Sequence, residues 1–238
     1  IGNGDTFAVV GGGKVANETG FELILSSGAA ATIKGNAAGA DFSIKGDAPS
    51  SITLDANHEG AGGDTTNATL AIGGSRAAND VASVTVGTIN NKLGKITVTG
   101  QAAGAKSSLN ATTIKIGVGS ENADKAVVEV KGHGSLNASD TLEIGKGGKV
   151  TVEADGAITA GTLTMSSGSL TTSGKVEGTT IKLNGGTVDF GAAAGVLGGD
   201  TSVINISGGT VHAKTAAGTV KGATVNLKSG DIKATNDL

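Results

Sequence analysis

The stretch Thr180-Ile181-Lys182-Leu183-Asn184-Gly185-Gly186-Thr187-Val188-Asp189-Phe190 returns in outline as Val203-Ile204-Asn205-Ile206-Ser207-Gly208-Gly209-Thr210-Val211-His212-Ala213. Its apolar-x-apolar pair marks a unit that recurs at Leu142/Ile144, Leu163/Met165, Ile181/Leu183, Ile204/Ile206 and Val225/Leu227, with first positions 21, 18, 23 and 21 residues apart. A glycine-bearing turn and a second short run follow the last four pairs, at 170–172, 188–190, 211–213 and 232–234. A third piece closes the unit at 174–178, 195–198 and 218–222. Apolar residues alternate with period two and nowhere recur at i, i+3, i+4 and i+7, which describes strands and not helices. A repeat of this kind is the first thing to establish, because each unit is one supersecondary element that buries its apolar face only by stacking on its neighbours.

Upstream the unit stretches. Leu70-Ala71-Ile72-Gly73 leads to 84–86 and 96–98, and Ile114-Lys115-Ile116-Gly117 leads to 128–130 and Leu136, so the markers at Leu70, Ile114 and Leu142 stand 44 and 28 residues apart. Insertions at about 57–67, 73–82, 101–111 and 119–126 account for the extra length. Further strands are expected at 21–25, 32–34, 42–45 and 52–55. Three short strands per unit of about 21 residues predict an all-β fold, a right-handed parallel β-helix, with like residues stacked in columns about 4.8 Å apart. Leu142/Ile144 through Val225/Leu227 would point inward, and Glu143, Thr164, Lys182, Asn205 and Asn226 outward. The chain is read as one domain, 1–238, with less regular coils over 1–67 and clear repeats over 68–238. It starts Ile1-Gly2 and stops at Leu238 straight after a strand-like run, as a piece of a longer protein would. A β-sandwich is the plainer all-β alternative. A left-handed β-helix would need a hexapeptide period, and a calcium-binding roll would need tandem nonapeptides that Gly60-Ala61-Gly62-Gly63-Asp64 does not supply.

Composition agrees with this. Of 238 residues, 42 are Gly, only 4 are Phe, none is Trp, Tyr or Cys, and one each is Met, Pro and Arg. Gly lacks a three-residue period, which excludes collagen, and the absence of Cys excludes a disulfide scaffold. No run approaches 18 apolar residues, so no transmembrane helix is expected. At 37% hydrophobic the chain is too apolar for disorder. A narrow bore lined by aliphatic side chains accounts for the scarcity of aromatics. A net charge of −3 with scattered lysines gives no basic footprint for the chain as a whole, and no nucleic-acid partner is expected.

Candidate chemistry is sparse. Two carboxyls facing each other across a cleft would be needed for glycoside hydrolysis; Asp189 with Asp231 would lie two coils apart, and Glu129, Glu143 and Glu153 read as solvated outward residues. Without Trp or Tyr there is no aromatic platform for a sugar ring. His58 sits among Asp55, Asn57, Glu59 and Asp64 without metal-ligand spacing, and His133 and His212 read as isolated surface residues. Gly11-Gly12-Gly13-Lys14-Val15 lacks the rest of a phosphate loop. An ice-binding array would need T-x-T on consecutive coils, where Glu, Lys and Asn stand instead. No catalytic set, metal or cofactor is therefore expected. Binding, if carried by the insertions, falls to Asn57, His58, Asp64, Arg76, Gln101, Lys106, Glu121 and Asp124, since loops on rigid scaffolds commonly carry specificity.

Units such as Gly161-Thr162-Leu163-Thr164-Met165-Ser166-Ser167-Gly168-Ser169-Leu170 and 180–190 resemble those of passenger domains of bacterial autotransporter adhesins and filamentous-haemagglutinin-like exoproteins, over residues 68–238. The resemblance is one of repeat style. It implies a secreted or cell-surface rod, non-enzymatic, that adheres or aggregates through its faces and loops. Partners would be host-surface or extracellular-matrix molecules, or like copies of itself. The translocator barrel of that family is absent from this sequence. A phage-fibre or surface-layer rod is the alternative, with a polysaccharide-active enzyme or an ice-binding protein behind it.

Overall fold

The computed structural model describes residues 6–10, 13–17, 22–25, 30–34, 42–46, 51–55, 68–73, 82–103, 106–119, 125–191, 194–213 and 218–234, with side chains from residue 51 onward except those of Asp55, Ala213 and Ala234. Among these residues there is no helix, and every strand pairing is parallel. The pairings sort into three ladders that the chain visits in rotation. The first links Thr6–Val10, Ala30–Lys34, Ala68–Gly73, 94–99, Ala126–Gly132, Gly148–Val152, Ser169–Thr172, Thr187–Phe190, 210–213 and 231–234, ten segments in all. The second runs from Gly13–Asn17 through Phe42–Gly46, 82–85, 108–111, 135–138, 157–160 and 175–178 to Val196–Leu197 and Thr219–Val220. The third runs from Glu22–Leu25 through 51–54, 88–91, 113–116, 141–144, 162–165 and 180–183 to 203–206 and 224–227. At roughly 4.8 Å per strand, ten stacked segments extend about 45 Å.

Alternation of side chains along each strand puts every second residue into one shared interior. Ile52, Ile89, Ile114, Leu142, Leu163, Ile181 and Ile204 form an unbroken aliphatic column on the third ladder, each at most 1% exposed. Leu70, Ile96, Val128, Val150, Leu170, Val188 and Val211 do the same on the first. On the second, the column Val84, Leu109, Leu136, Ile158, Val176 and Leu197 is followed by a shrinking one, Val86, Ala111, Ala138, Ala160 and Gly178. Small side chains there let the chain turn into the third ladder within a residue or two. At the corner from the third ladder to the first, Gly168 and Gly186 hold equivalent positions at φ +80 and +81, a conformation that costs an L-residue with a Cβ about 1–2 kcal/mol.

The markers 142, 163, 181, 204 and 225 pair with one another in the register expected from the repeat. The N-terminal strands enter the same three ladders as the rest. Three expectations change. Leu70 belongs to the first ladder, opposite Ile96, and the third-ladder partner of Ile114 is Ile89. The true marker, Ile89-Asn90-Asn91, carries a polar residue at its second inward position, which breaks the apolar-x-apolar signature. The insertion expected over 101–111 ends earlier, because Ser108–Ile116 is a strand that pairs Ser108 with Ser135 and Asn110 with Asn137. Val225 and Leu227, expected inward, are 43% and 54% exposed, and Ile232 is 47% exposed, since no described strand stacks beyond them.

Candidate functional site

The outward columns differ from ladder to ladder. On the first, Glu129 stands between two lysines, 2.7 Å from Lys95 on the preceding strand of the ladder and 2.9 Å from Lys131 two residues on, while Lys131 also lies 3.7 Å from Glu153. Burial alone would raise the Glu129 carboxyl, but hydrogen bonds and charge from Lys95 and Lys131 outweigh it and hold the group below the usual carboxylate range. Lys131 is raised in turn, mainly by Glu129. Further along, His212 Nδ1 lies 3.1 Å from Asp189 on the preceding strand, so His212 is not isolated.

The second ladder is faced with uncharged groups through its middle strands. Asn137 Nδ2 donates to Asn110 Oδ1 at 2.8 Å, Asn110 Nδ2 donates to Ser108 Oγ at 3.0 Å, and the Ser83 and Ser108 hydroxyls are 2.9 Å apart. In-register identity makes this possible, because stacked Asn side chains can bond to one another along the ladder. The third ladder carries a single threonine column, Thr88, Thr113, Thr141, Thr162 and Thr180. The column beside it reads Asn90, Lys115, Glu143, Thr164, Lys182 and Asn205, so the two do not make a T-x-T array.

Where the second ladder turns into the third, a polar groove of about 210 Å³ lies over Thr159, Glu177, Thr179, Asp200 and Thr201. Its floor is fixed by Ser202, 3% exposed, whose hydroxyl donates to the Gly178 carbonyl at 2.6 Å and accepts from the Gly199 amide at 2.9 Å. Both carboxylates are engaged: Glu177 by Lys175 at 2.7 Å and Asp200 by Lys221 at 2.7 Å. The groove offers hydroxyls and neutralised carboxylates, suited to hydrogen bonding with a polar ligand.

Of the loop residues singled out in the sequence, Gln101 is half-buried and Lys106 exposed, on the connection from the first ladder to the second. Asn57, His58, Asp64, Arg76, Glu121 and Asp124 lie outside the described residues. Asp189 and Asp231 occupy different columns, one opposite His212 and the other opposite Thr210, and do not converge. Among the described residues no group of three or more His, Asp or Glu is placed to hold a metal ion. Glu177 and Asp200 escaped the sequence reading because 23 residues separate them; the signal was present only as the repeat offset between Thr180 and Val203.

Known proteins offer no guide. The chain matches no family model, no curated protein and no solved structure. Among the described residues no helix is long and apolar enough to cross a membrane.

Proposed function

We propose that the three ladders are the faces of a right-handed parallel β-helix, and that the protein is a non-enzymatic adhesive rod of a bacterial cell surface or secreted product. The hand follows from strand chirality, since a strand that returns to its own parallel sheet does so right-handedly in about 98% of connections. The observation that carries the functional proposal is the register itself. Inward columns are apolar apart from Asn91 and Thr172, whereas outward columns are long, polar and different on each face. Such a rod repeats weak contacts at fixed spacing, and multivalency turns weak contacts into avidity. Partners would be host-surface or matrix molecules, or further copies of the rod.

The test is display of the chain on a non-adherent bacterium, with sedimentation and attachment to matrix-coated surfaces as readouts. Aggregation or attachment is expected, and its loss when 57–67, 74–81, 102–106 and 119–124 are replaced by short Gly-Asn turns would place it in the insertions. Retention after replacement would move it to the regular faces. Neither aggregation nor attachment, or turnover of any member of a polysaccharide panel, would overturn the proposal.

A further inference from the structure

The last described coil presents an open edge. Among the described residues, Thr219–Val220 pairs only with Val196–Leu197, 224–227 only with 203–206, and 231–234 only with 210–213. Every residue over 223–233 is exposed, including Val225, Leu227 and Ile232 at inward positions. An unpaired edge with bare apolar side chains is a template for further strands.

This edge is self-complementary about Asn226. Val225 and Leu227, both at inward positions, flank it by one residue on either side. Val220, packed on the core, and Ile232, inward opposite Val211, stand six residues to either side. Lys221 and Asp231, of opposite charge, stand five to either side, and Gly222 and Gly230 four. The corners between the strands, 221–223 and 228–230, are equal in length.

We propose that two copies of the chain join end to end through this edge, about a two-fold axis that passes through Asn226 perpendicular to the rod. The axis reverses strand direction. The third-ladder strand therefore meets itself antiparallel, and the second-ladder strand meets the first-ladder strand of the other copy. One register sets Val225 opposite Leu227, Val220 opposite Ile232 and Lys221 opposite Asp231, each pair occurring twice. Apolar and opposite-charge pairs of this kind stabilise an antiparallel ladder. Height fits too, because the coil rises along the rod from 219 to 233 with Asn226 at its midpoint, so the low start of one copy receives the high end of the other. Asn226 already donates to Asn205 at 2.9 Å, and the axis continues that column into the second copy. In the single chain Lys221 holds Asp200 and Asp231 holds Lys233, all more than half exposed, so the new pair joins two surface ion pairs. A two-fold contact closes at two copies, whereas pairing this edge with the N-terminal strands of another copy would be head-to-tail and open-ended. The self-complementary register selects the closed form. It uses the ladders and goes beyond the adhesive reading, which it does not need.

Sedimentation of the purified full chain measures this. Three short strands a side make a small interface, so a dissociation constant on the order of 10 µM is expected, with monomer near about 1 µM, dimer near about 200 µM and nothing larger. Val225→Asp/Leu227→Asp should weaken dimerisation about thirtyfold or more by burying unpaired charge. Its circular dichroism should be unchanged, because both residues are bare in the single chain. The chain has no Cys, so the register can be read by cross-linking with glutathione disulfide as oxidant. Asn226→Cys should form a covalent dimer by itself, since directly opposed Cα atoms about 4.5–5.5 Å apart accommodate a disulfide. Val225→Cys and Leu227→Cys should cross-link when mixed and not singly. A chain still monomeric near about 200 µM, growth beyond two copies, or a dimer that Asn226→Cys does not lock would each overturn the proposal. Display separates the two claims: attachment by a chain that stays monomeric sinks the dimer alone, and a dimer that neither attaches nor aggregates sinks the adhesive rod alone.

Discussion

Lys95 and Glu129 face each other across one strand spacing of the first ladder, with Nζ 2.7 Å from Oε1, and Lys131 closes on the same carboxylate from its own strand. Because the folded carboxyl titrates below its ordinary value, its contribution is present above the unfolded value near pH 4.5 and disappears as pH falls through the folded one. Glu129→Gln should therefore lose about 1 kcal/mol at pH 7. In urea unfolding, the gap between the two proteins should close towards pH 3. A gap independent of pH would show that the ion pairs contribute nothing.

Asn91 occupies a position that is aliphatic in most other coils, opposite Leu54 and Ile116, and its amide ties two backbone carbonyls. Asn91→Ala should cost about 1–3 kcal/mol, since the buried Gly94 bond and the part-buried Val127 bond are lost. Chemical denaturation measures this, and a loss below about 0.5 kcal/mol would mean that water replaces the amide without penalty.

Phe190 is the bulkiest fully buried side chain among the described residues, and a Cβ at Gly218 would collide with its Cγ, Cδ2 and Cβ. Gly218→Ala alone should destabilise by about 1–3 kcal/mol through overpacking. Combined with Phe190→Leu, it should cost less than the sum of the two single changes. Strict additivity in the double-mutant cycle would remove the contact from the account.

Asp155 is the one non-glycine residue at positive φ among those described, at +65°, and it is exposed on the turn before Gly156. Asp155→Gly should raise stability by about 0.5 kcal/mol, by relieving a left-handed conformation. A lowered melting temperature would contradict this.

Ile204 and Val225 share one column, yet Ile204 is 0% and Val225 43% exposed. Ile204→Ala should cost about 2–5 kcal/mol and Val225→Ala well under 1. Equal losses would mean that the last described coil is covered in solution.

Much of the fold was legible because a stacked repeat writes its register directly into residue spacing. Leu142, Leu163, Ile181, Ile204 and Val225 announce their own pairing. The signature breaks at Ile89-Asn90-Asn91, where one buried amide interrupts the aliphatic pattern, so linear spacing points to Leu70, one ladder away. The candidate surfaces were far less legible. Glu177 and Asp200 look unrelated in the sequence, yet both line the groove where the second ladder turns into the third.

The sequence by itself determined the strand character, the three-part unit and the inward columns, because alternation and glycine-bearing turns are local, and stacking needs only a repeated offset. The tertiary structure decided which polar groups share a surface. Variable insertions make the offset between paired strands range from Thr187 opposite Ser169 to Ala82 opposite Phe42, so lateral neighbours depend on register that linear spacing does not carry. It also decided that the same aliphatic position is buried at Ile204 and bare at Val225, since burial in a stack comes from the next coil and not from the residue itself.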